Sequence, residues 1–315
     1  QETPLITHLH VLENRMTLIN PKIGFVGIGA MGTPMATNLA KAGYKLMIYD
    51  TDVNRTEALA SALKIEVADS LAAIGAACGT VITMLPDGKI VRQALCGEND
   101  SHRDCIVAAL KPGSLVIDMS SSSPVGTREL GTLLEKRGIK LIDAPVSNGV
   151  RGATAATLAI MVGGDAATFA QMKPLFEKIG NQIFHAGPLG AGHAIKALNN
   201  YVSAAGLIAA CDAVVAGRRF GLEPAVIVDI LNASSGMNNT TKNKFKQHML
   251  SGTYGAGFFT GLMAKDVRTA LEVIEATGTS SLLAKPFTDI WNSLEQDLGF
   301  TSDHTEMFRY IEGRK

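Results

Sequence analysis

Lys22-Ile-Gly-Phe-Val-Gly27-Ile-Gly29-Ala-Met31-Gly32-Thr-Pro-Met35 is the stretch that decides the fold. Its opening is a short apolar run, as in a strand buried on both faces. From Met31 to Ala42 the apolar residues recur at helical spacing, and Gly43 ends the run. Between strand and helix lies a G-x-G-x-x-G. With 32 glycines in 315 residues such spacing arises by chance, so it carries weight only through its place, after a buried strand and at the mouth of a helix. There Gly27 permits a tight turn, Gly29 lets the backbone approach a pyrophosphate, and Gly32 lets helix and strand pack closely. The helix N-terminus adds N–H donors and the positive end of a dipole.

Working outward, a second strand over 45–49 closes at Asp50, about 20 residues past the glycines, where an acid meets the ribose 2′-hydroxyl of NAD and repels the 2′-phosphate of NADP. Asp50 could instead cap the following turn, and Arg55 could reach a 2′-phosphate; NAD is expected, NADP less so. Strands recur over 80–85, 115–119 and 140–144, with helices such as 54–63 and 124–136 between them, which implies a parallel sheet with helices on both faces. After Gly187 come only helical stretches, at 190–219, 223–233, 238–250, 261–277, 281–298 and 303–312. The expected architecture is an α/β Rossmann-type domain over 21–186 followed by an all-α domain over 187–315. Residues 1–20, which open on Gln1 and lack both an apolar period and a signal-peptide pattern, read as an upstream extension, with Met16 as the start.

Composition excludes several classes. The 29 Lys and Arg balance 29 Asp and Glu, which leaves no cationic surplus to hold a nucleic acid backbone. Cys78, Cys96, Cys105 and Cys211 form no C-x-x-C pair and stand at no metal-ligand spacing, so they read as reduced packing residues of a cytoplasmic protein, with no metal. The longest apolar run, 202–216, is interrupted by Asp212 and falls short of the ~20 residues a spanning helix needs, so no membrane is expected.

A second informative stretch is Gly190-Ala-Gly192-His-Ala-Ile-Lys196-Ala-Leu-Asn199-Asn200-Tyr-Val-Ser203. On a helix Lys196, Asn199, Asn200 and Ser203 share one face, while the continuation through Ala216 is small and apolar. A polar stripe on a buried helix must face a wet cleft or find partners, because unpaired buried polar groups cost several kcal/mol. A catalytic Lys196 and a solvated helix face are both open on this pattern, and His193 reads as a packing or surface histidine.

Taken together, the glycine loop with Met31 and Met35, Asp143-Ala-Pro-Val-Ser147, Gly192-x-x-x-Lys196-x-x-Asn199 and Lys265-Asp266 resemble the β-hydroxyacid dehydrogenase family, the 3-hydroxyisobutyrate dehydrogenase-like enzymes, from residue 22 to about 300. The resemblance implies a cleft active site in a homodimer or homotetramer that oxidises a small anionic 3-hydroxy, 2-hydroxy or sugar acid. It implies that Gly27, Gly29, Met31, Gly32 and Asp50 hold the adenosine and pyrophosphate, that Leu85 and Pro86 pass close to the cofactor, and that Ser121 and Lys265 touch it. Ser147, Asn148 and Gly149 would receive the substrate carboxylate; Lys196 would act on the reacting oxygen beside Asn199 and Asn200, and Asp266 would complete the pocket.

This chain departs from the family pattern in two places. Ser147-Asn148-Gly149 stands where Ser-Gly-Gly is usual, adding a side chain and an expected extra hydrogen bond, and Arg151 follows where it could pair with a second anionic or hydroxylated end. Both point to a substrate more polar than 3-hydroxyisobutyrate, such as a threonate-like acid, or tartronate semialdehyde in the reducing direction. Ser121 replaces a commoner threonine and keeps the hydroxyl. A lysine base of ordinary pKa, about 10.4, is protonated at neutral pH, so burial and Lys265 are expected to lower Lys196, with Asp266 opposing them. The rival readings are a non-catalytic nucleotide-binding relative and an imine reductase-like enzyme, in which another residue commonly replaces the lysine.

Overall fold

The computed structural model describes residues 22–314. The extension over 1–20 and the start at Met16 lie outside the described residues. The described residues form two compact units: one comprises 22–120 with Gly126–Leu189, the other Ser121–Val125 with 190–314.

In the first unit strands and helices alternate: β1 (Lys22–Val26), α1 (Gly32–Lys41), β2 (Lys45–Tyr49), α2 (Val53–Leu63), β3 (Glu66–Val67), α3 (Leu71–Ala77), β4 (Thr80–Thr83), α4 (Gly88–Cys96), β5 (Leu115–Asp118), α5 (Pro124–Glu135) and β6 (Lys140–Asp143). Then come β7 (Val146–Ser147), α6 (Gly149–Thr154), β8 (Leu158–Gly163), α7 (Ala166–Phe176) and β9 (Gly180–Gly187). The strands from β3 through β2, β1, β4 and β5 to β6 pair in parallel. The order reverses between β1 and β4, and the carboxyl ends of strands at such a switch point are where open α/β sheets bind ligands.

Period-two alternation sorts the apolar side chains onto two faces. Ile23, Phe25, Ile48, Ile82, Ile117 and Ile142 pack with Met35 and Leu39 of α1 and with Phe176 of α7. Val26, Val81, Val116 and Leu141 face the other way, onto Ile74, Val91, Leu95 and Leu134. Each such fully buried side chain contributes roughly 1.5–3 kcal/mol of transfer free energy, and the two layers fix both helix sets against the sheet.

The all-parallel expectation is corrected beyond β6. There β8 runs antiparallel to β6 and β7 and parallel to β9. No strand is expected past residue 144: β9, Gly-Asn-Gln-Ile-Phe-His-Ala-Gly, is largely exposed and lacks a clean apolar alternation, whereas the largely buried run of β8, Leu-Ala-Ile-Met-Val-Gly, is a local signal that the expectation omits. The pairing of β9 to β8 is a tertiary decision.

The second unit is built on α8 (Ala191–Phe220), closed by Gly221 in the left-handed region at φ +101°. Ala204, Leu207, Cys211 and Val214 of α8 pack against Phe245, Met263, Val267, Trp291, Leu294 and Met307, contributed in part by α11 (Thr260–Ala276), α12 (Ala284–Leu298) and α13 (Met307–Glu312), while α9 (Pro224–Ala233) and α10 (Asn239–Asn243) complete the helices. The helix expected over 238–250 is broken. Asn238 and Thr241 form a capping box on α10, which ends at Asn243, and a π-helical turn, Phe245–Met249, follows. The stretch expected over 303–312 begins as a 3-10 turn, His304–Glu306, before α13.

The expected length is corrected: counted as a helix and not as one uninterrupted apolar run, α8 has 30 residues and is long and apolar enough to cross a bilayer by length and composition. Its buried side chains form the core of the helical unit. All four cysteines are free and buried.

Candidate active site

In the first unit the glycine loop takes the geometry its spacing demands. Gly27 sits at φ +99°, where a Cβ would strike the Met84 carbonyl, and a Cβ on Gly32 would overlap the Gly27 carbonyl oxygen. Gly29 differs: nothing lies within 4 Å of where its Cβ would stand. Its glycine is not needed for packing, and the open side leaves room for a group laid against the backbone. Helix α1 starts at Gly32 with no side-chain cap at Met31, while Thr33 N donates to the Gly29 carbonyl at 3.0 Å. These features fit a dinucleotide pyrophosphate.

Asp50 closes β2 and faces the same loop. Its Oδ2 accepts from Ile28 N at 2.6 Å and its Oδ1 from Asp52 N at 2.9 Å. The carboxylate therefore does not cap α2; Asp52 does, accepting from Arg55 N. The Arg55 guanidinium pairs with that same Asp52 at 3.1 Å.

Leu85 and Pro86 follow β4. Ser120 Oγ accepts from Leu85 N at 2.9 Å, and Asp118 Oδ1 accepts from Thr83 Oγ1 at 2.9 Å and Ser120 N at 3.0 Å. This buried network, which sequence reasoning missed, fixes the turn after β4. Ser147 ends β7 half-buried, and Asn148 and Gly149 turn the chain into α6 in the left-handed region, at φ +85° and +58°. The Asn148 amide donates to the Thr157 carbonyl at 3.0 Å. Asparagine at this position thus supports its own turn, and Oδ1 is the part of the side chain left for a ligand. Arg151 is exposed on α6.

In the second unit α8 carries Lys196, Asn199 and Asn200 on one face, and α11 carries Lys265 and Asp266. Asn199 Nδ2 donates to Asn200 Oδ1 at 3.1 Å, and Asn200 Nδ2 to Asp266 Oδ2 at 2.5 Å. The other Asp266 oxygen accepts from Ser121 Oγ at 2.9 Å and stands 3.2 Å from the Lys265 ammonium, which donates to the Ser121 carbonyl at 2.8 Å. Asn200 and Asp266 are buried, so this chain of bonds satisfies polar groups that would otherwise be costly. Ser123 Oγ donates to Glu272 Oε1 at 2.8 Å, a second tie from the same segment to α11. The sequence reading treats Ser120–Ser123 as a short loop. The run of hydroxyls was the available signal: Ser120, Ser121 and Ser123 each have a partner of their own.

Lys196 is half-buried. Burial lowers its pKa from the ordinary lysine value; the Asp266 carboxylate opposes this and the Lys265 ammonium adds to it. Those are the signs expected from the sequence. His193 is fully buried, as a packing histidine. What the second unit offers chemically is an amine biased toward its neutral form, next to amide and hydroxyl groups held in place by one carboxylate.

A family model for the NAD binding domain of 6-phosphogluconate dehydrogenase matches residues 22–187. A second, for the NAD-binding region of NADP-dependent 3-hydroxyisobutyrate dehydrogenase, matches residues 190–311. The chain is 38% identical to the NAD-dependent L-serine dehydrogenase of Pseudomonas aeruginosa over 82% of this chain and 87% of that one. It is 36% identical to the 2-(hydroxymethyl)glutarate dehydrogenase of Eubacterium barkeri over 80% and 81%. Among solved structures, Mycobacterium tuberculosis 3-hydroxyisobutyrate dehydrogenase with L-serine superposes at a TM-score of 0.83, with 33% identity, over 94% of this chain and all of that one.

Proposed function

The chain belongs to the β-hydroxyacid dehydrogenase family and is an NAD(P)-dependent oxidoreductase acting on CH–OH groups, and from that premise we propose that it oxidises the hydroxyl of a small anionic hydroxy acid with NAD, Lys196 serving as the base. One observation carries the proposal: a lysine whose pKa is lowered by burial stands one helical turn from Asn200, which is hydrogen-bonded to Asp266.

Gly27, Gly29, Gly32 and the start of α1 would hold the pyrophosphate, and Asp50 the adenosine ribose. NAD bound there supplies the hydride acceptor. Preference for NAD over NADP is supported by the Asp50 carboxylate beside Ile28 N and by the commitment of Arg55 to Asp52. A 2′-phosphate would meet an anion and no free arginine from this turn.

The rest of the reaction belongs to side chains of this chain. As hydride leaves the carbinol carbon, the neutral Lys196 amine takes the hydroxyl proton; in the reverse direction the ammonium returns it to the developing alkoxide. The Lys265 and Lys196 charges favour an oxyanion without a metal. Ser147, Asn148 Oδ1 and Gly149 would receive the carboxylate, and Arg151 a second polar end. The substrates named for the relatives, L-serine, 2-(hydroxymethyl)glutarate and 3-hydroxyisobutyrate, share a hydroxymethyl group on the carbon next to a carboxylate. They differ only in the third substituent, which is where this chain's own preference would be expressed.

The test is reduced-nicotinamide absorbance with NAD and with NADP against a panel of 2- and 3-hydroxy acids, wild type beside Lys196→Ala. Wild-type turnover with a hydroxymethyl acid and a loss on the order of 10²–10⁴ in the variant are expected. Full activity in Lys196→Ala would remove the lysine from the mechanism.

A further inference from the structure

We propose that Lys244 and His304 form a positioning pair that holds the backbone leading into α11 and thereby sets where Lys265 and Asp266 stand. The pair lies outside the residues that the reaction uses. It rests on the dehydrogenase reading only for what Lys265 and Asp266 are needed for.

Helix α11 begins at Thr260 without a side-chain cap of its own. Its entry is instead held to the segment before α13. Gly257 N donates to Asp303 Oδ2 at 2.8 Å, Phe259 bridges Asp303, and Thr260 N donates to the Ser302 carbonyl at 2.7 Å. The centre of this seam is Phe258, whose carbonyl accepts twice from one residue, from His304 N at 2.9 Å and from His304 Nδ1 at 3.0 Å. With the imidazole proton on Nδ1 for that bond, Nε2 must be an acceptor. It is met by the Lys244 ammonium at 2.9 Å.

Lys244 comes from the break between α10 and the π-helical turn, where its backbone leaves helical geometry at φ −128°. The interrupted helix thus delivers a cation to a buried histidine. The charged group acting on the pair is Asp303, beside the ring at 3.4 Å from Nδ1; the other titratable group near Lys244 is Cys211 on α8, which burial holds as the uncharged thiol. His304 is almost fully buried and its pKa is lowered, first by burial, so the neutral ring that the geometry requires is the favoured one. A protonated ring would turn an N–H toward the ammonium and break the contact. From Thr260, α11 runs under two turns to Asp266, which binds Asn200 and Ser121. A small shift at the start of the helix therefore reaches those bonds, and misplacement of about 1 Å in a catalytic constellation can cost on the order of 10²-fold in rate.

The experiment compares wild type with Lys244→Met, His304→Asn, the double variant and Lys244→Arg. It uses 15N NMR of the His304 ring, backbone amide shifts over 260–266, and steady-state kinetics with NAD. In wild type His304 should hold the Nδ1–H tautomer. In Lys244→Met its titration midpoint should rise, because a neighbouring cation is gone, and the 260–266 amides should shift. Turnover should fall about 10-fold in either single variant with KM for NAD changed by less than about twofold. The double variant should be no worse than the singles, as for two halves of one interaction, and Lys244→Arg should keep most of the activity. An unmoved His304 midpoint in Lys244→Met, or unchanged 260–266 shifts, overturns the pair. Should no hydroxy acid be oxidised by wild type, the NMR measurements still decide it, and the failure then belongs to the proposed activity.

Discussion

Asn200 on α8 is joined to Asp266 on α11 by a hydrogen bond of 2.5 Å. Asp266 thereby ties the lysine helix to the serine segment, since its other oxygen holds Ser121. Both carboxylate oxygens are engaged, so Asp266 fixes its neighbours, and its charge raises the Lys196 pKa.

Asp266→Asn should shift the pH profile in a defined direction. The Asp266 charge raises the Lys196 pKa against burial and Lys265. Removing it lowers that pKa further, so more of the amine is neutral at a given pH and the acid limb of oxidation moves to lower pH. The plateau rate should fall because Asn200 and Ser121 lose a charged acceptor. A profile of kcat/KM whose acid limb stays in place or moves upward would contradict this.

Two glycines of one loop should respond oppositely to alanine. At Gly29 nothing lies within 4 Å of the added Cβ, so Gly29→Ala should keep its thermal midpoint in the absence of cofactor and lose affinity for NAD. At Gly32 the Cβ overlaps the Gly27 carbonyl, so Gly32→Ala should be destabilised, by roughly 1–3 kcal/mol as for other overpacking changes. Denaturant titration and NAD binding on both variants separate the two effects.

Asp50→Ala should narrow the preference for NAD over NADP. It removes the anion near the ribose, and it also frees Ile28 N and Asp52 N. Affinity for NAD should therefore fall while that for NADP falls less. An unchanged ratio of kcat/KM for the two cofactors would assign the discrimination to another residue.

Lys244 makes a statement about stability. Its pKa is lowered by burial from 10.5 to about 8. Between those values the unfolded chain binds the proton that the native state has lost, so this group makes the fold more stable as pH rises from about 8 toward 10.5. Cysteines with raised pKa oppose the trend in the same range. The measurement is thus a difference, wild type minus Lys244→Met, in unfolding free energy at pH 7.5 and pH 10. It should grow with pH, and a flat or falling difference would exclude the assignment.

Much of the molecule could be read along the chain because its signals are local. The glycine spacing, the apolar runs of β1, β4 and β5 and the i, i+3, i+4 stripe of Lys196, Asn199 and Asn200 all depend on neighbours within a few residues. Apart from the apolar run of β8, what escaped detection depended on distant partners. Edge strand β9 is recognisable only through β8, and the break at Lys244 only through His304, sixty residues on. The Asn148 amide is tied to the Thr157 carbonyl nine residues on, a partner that the sequence pattern does not display.

By itself, the sequence determined that a buried strand, a glycine turn and a helix open an α/β unit suited to a dinucleotide, and that a lysine and two amides share one face of a following helix. Backbone sterics and helical periodicity are enough for that. Only tertiary structure decided the mixed end of the sheet, the four-residue hub on Asp266 and the break that brings Lys244 to His304. Those rest on burial and on charges brought together from distant parts of the chain, where the energy of a group depends on what surrounds it and not on what precedes it.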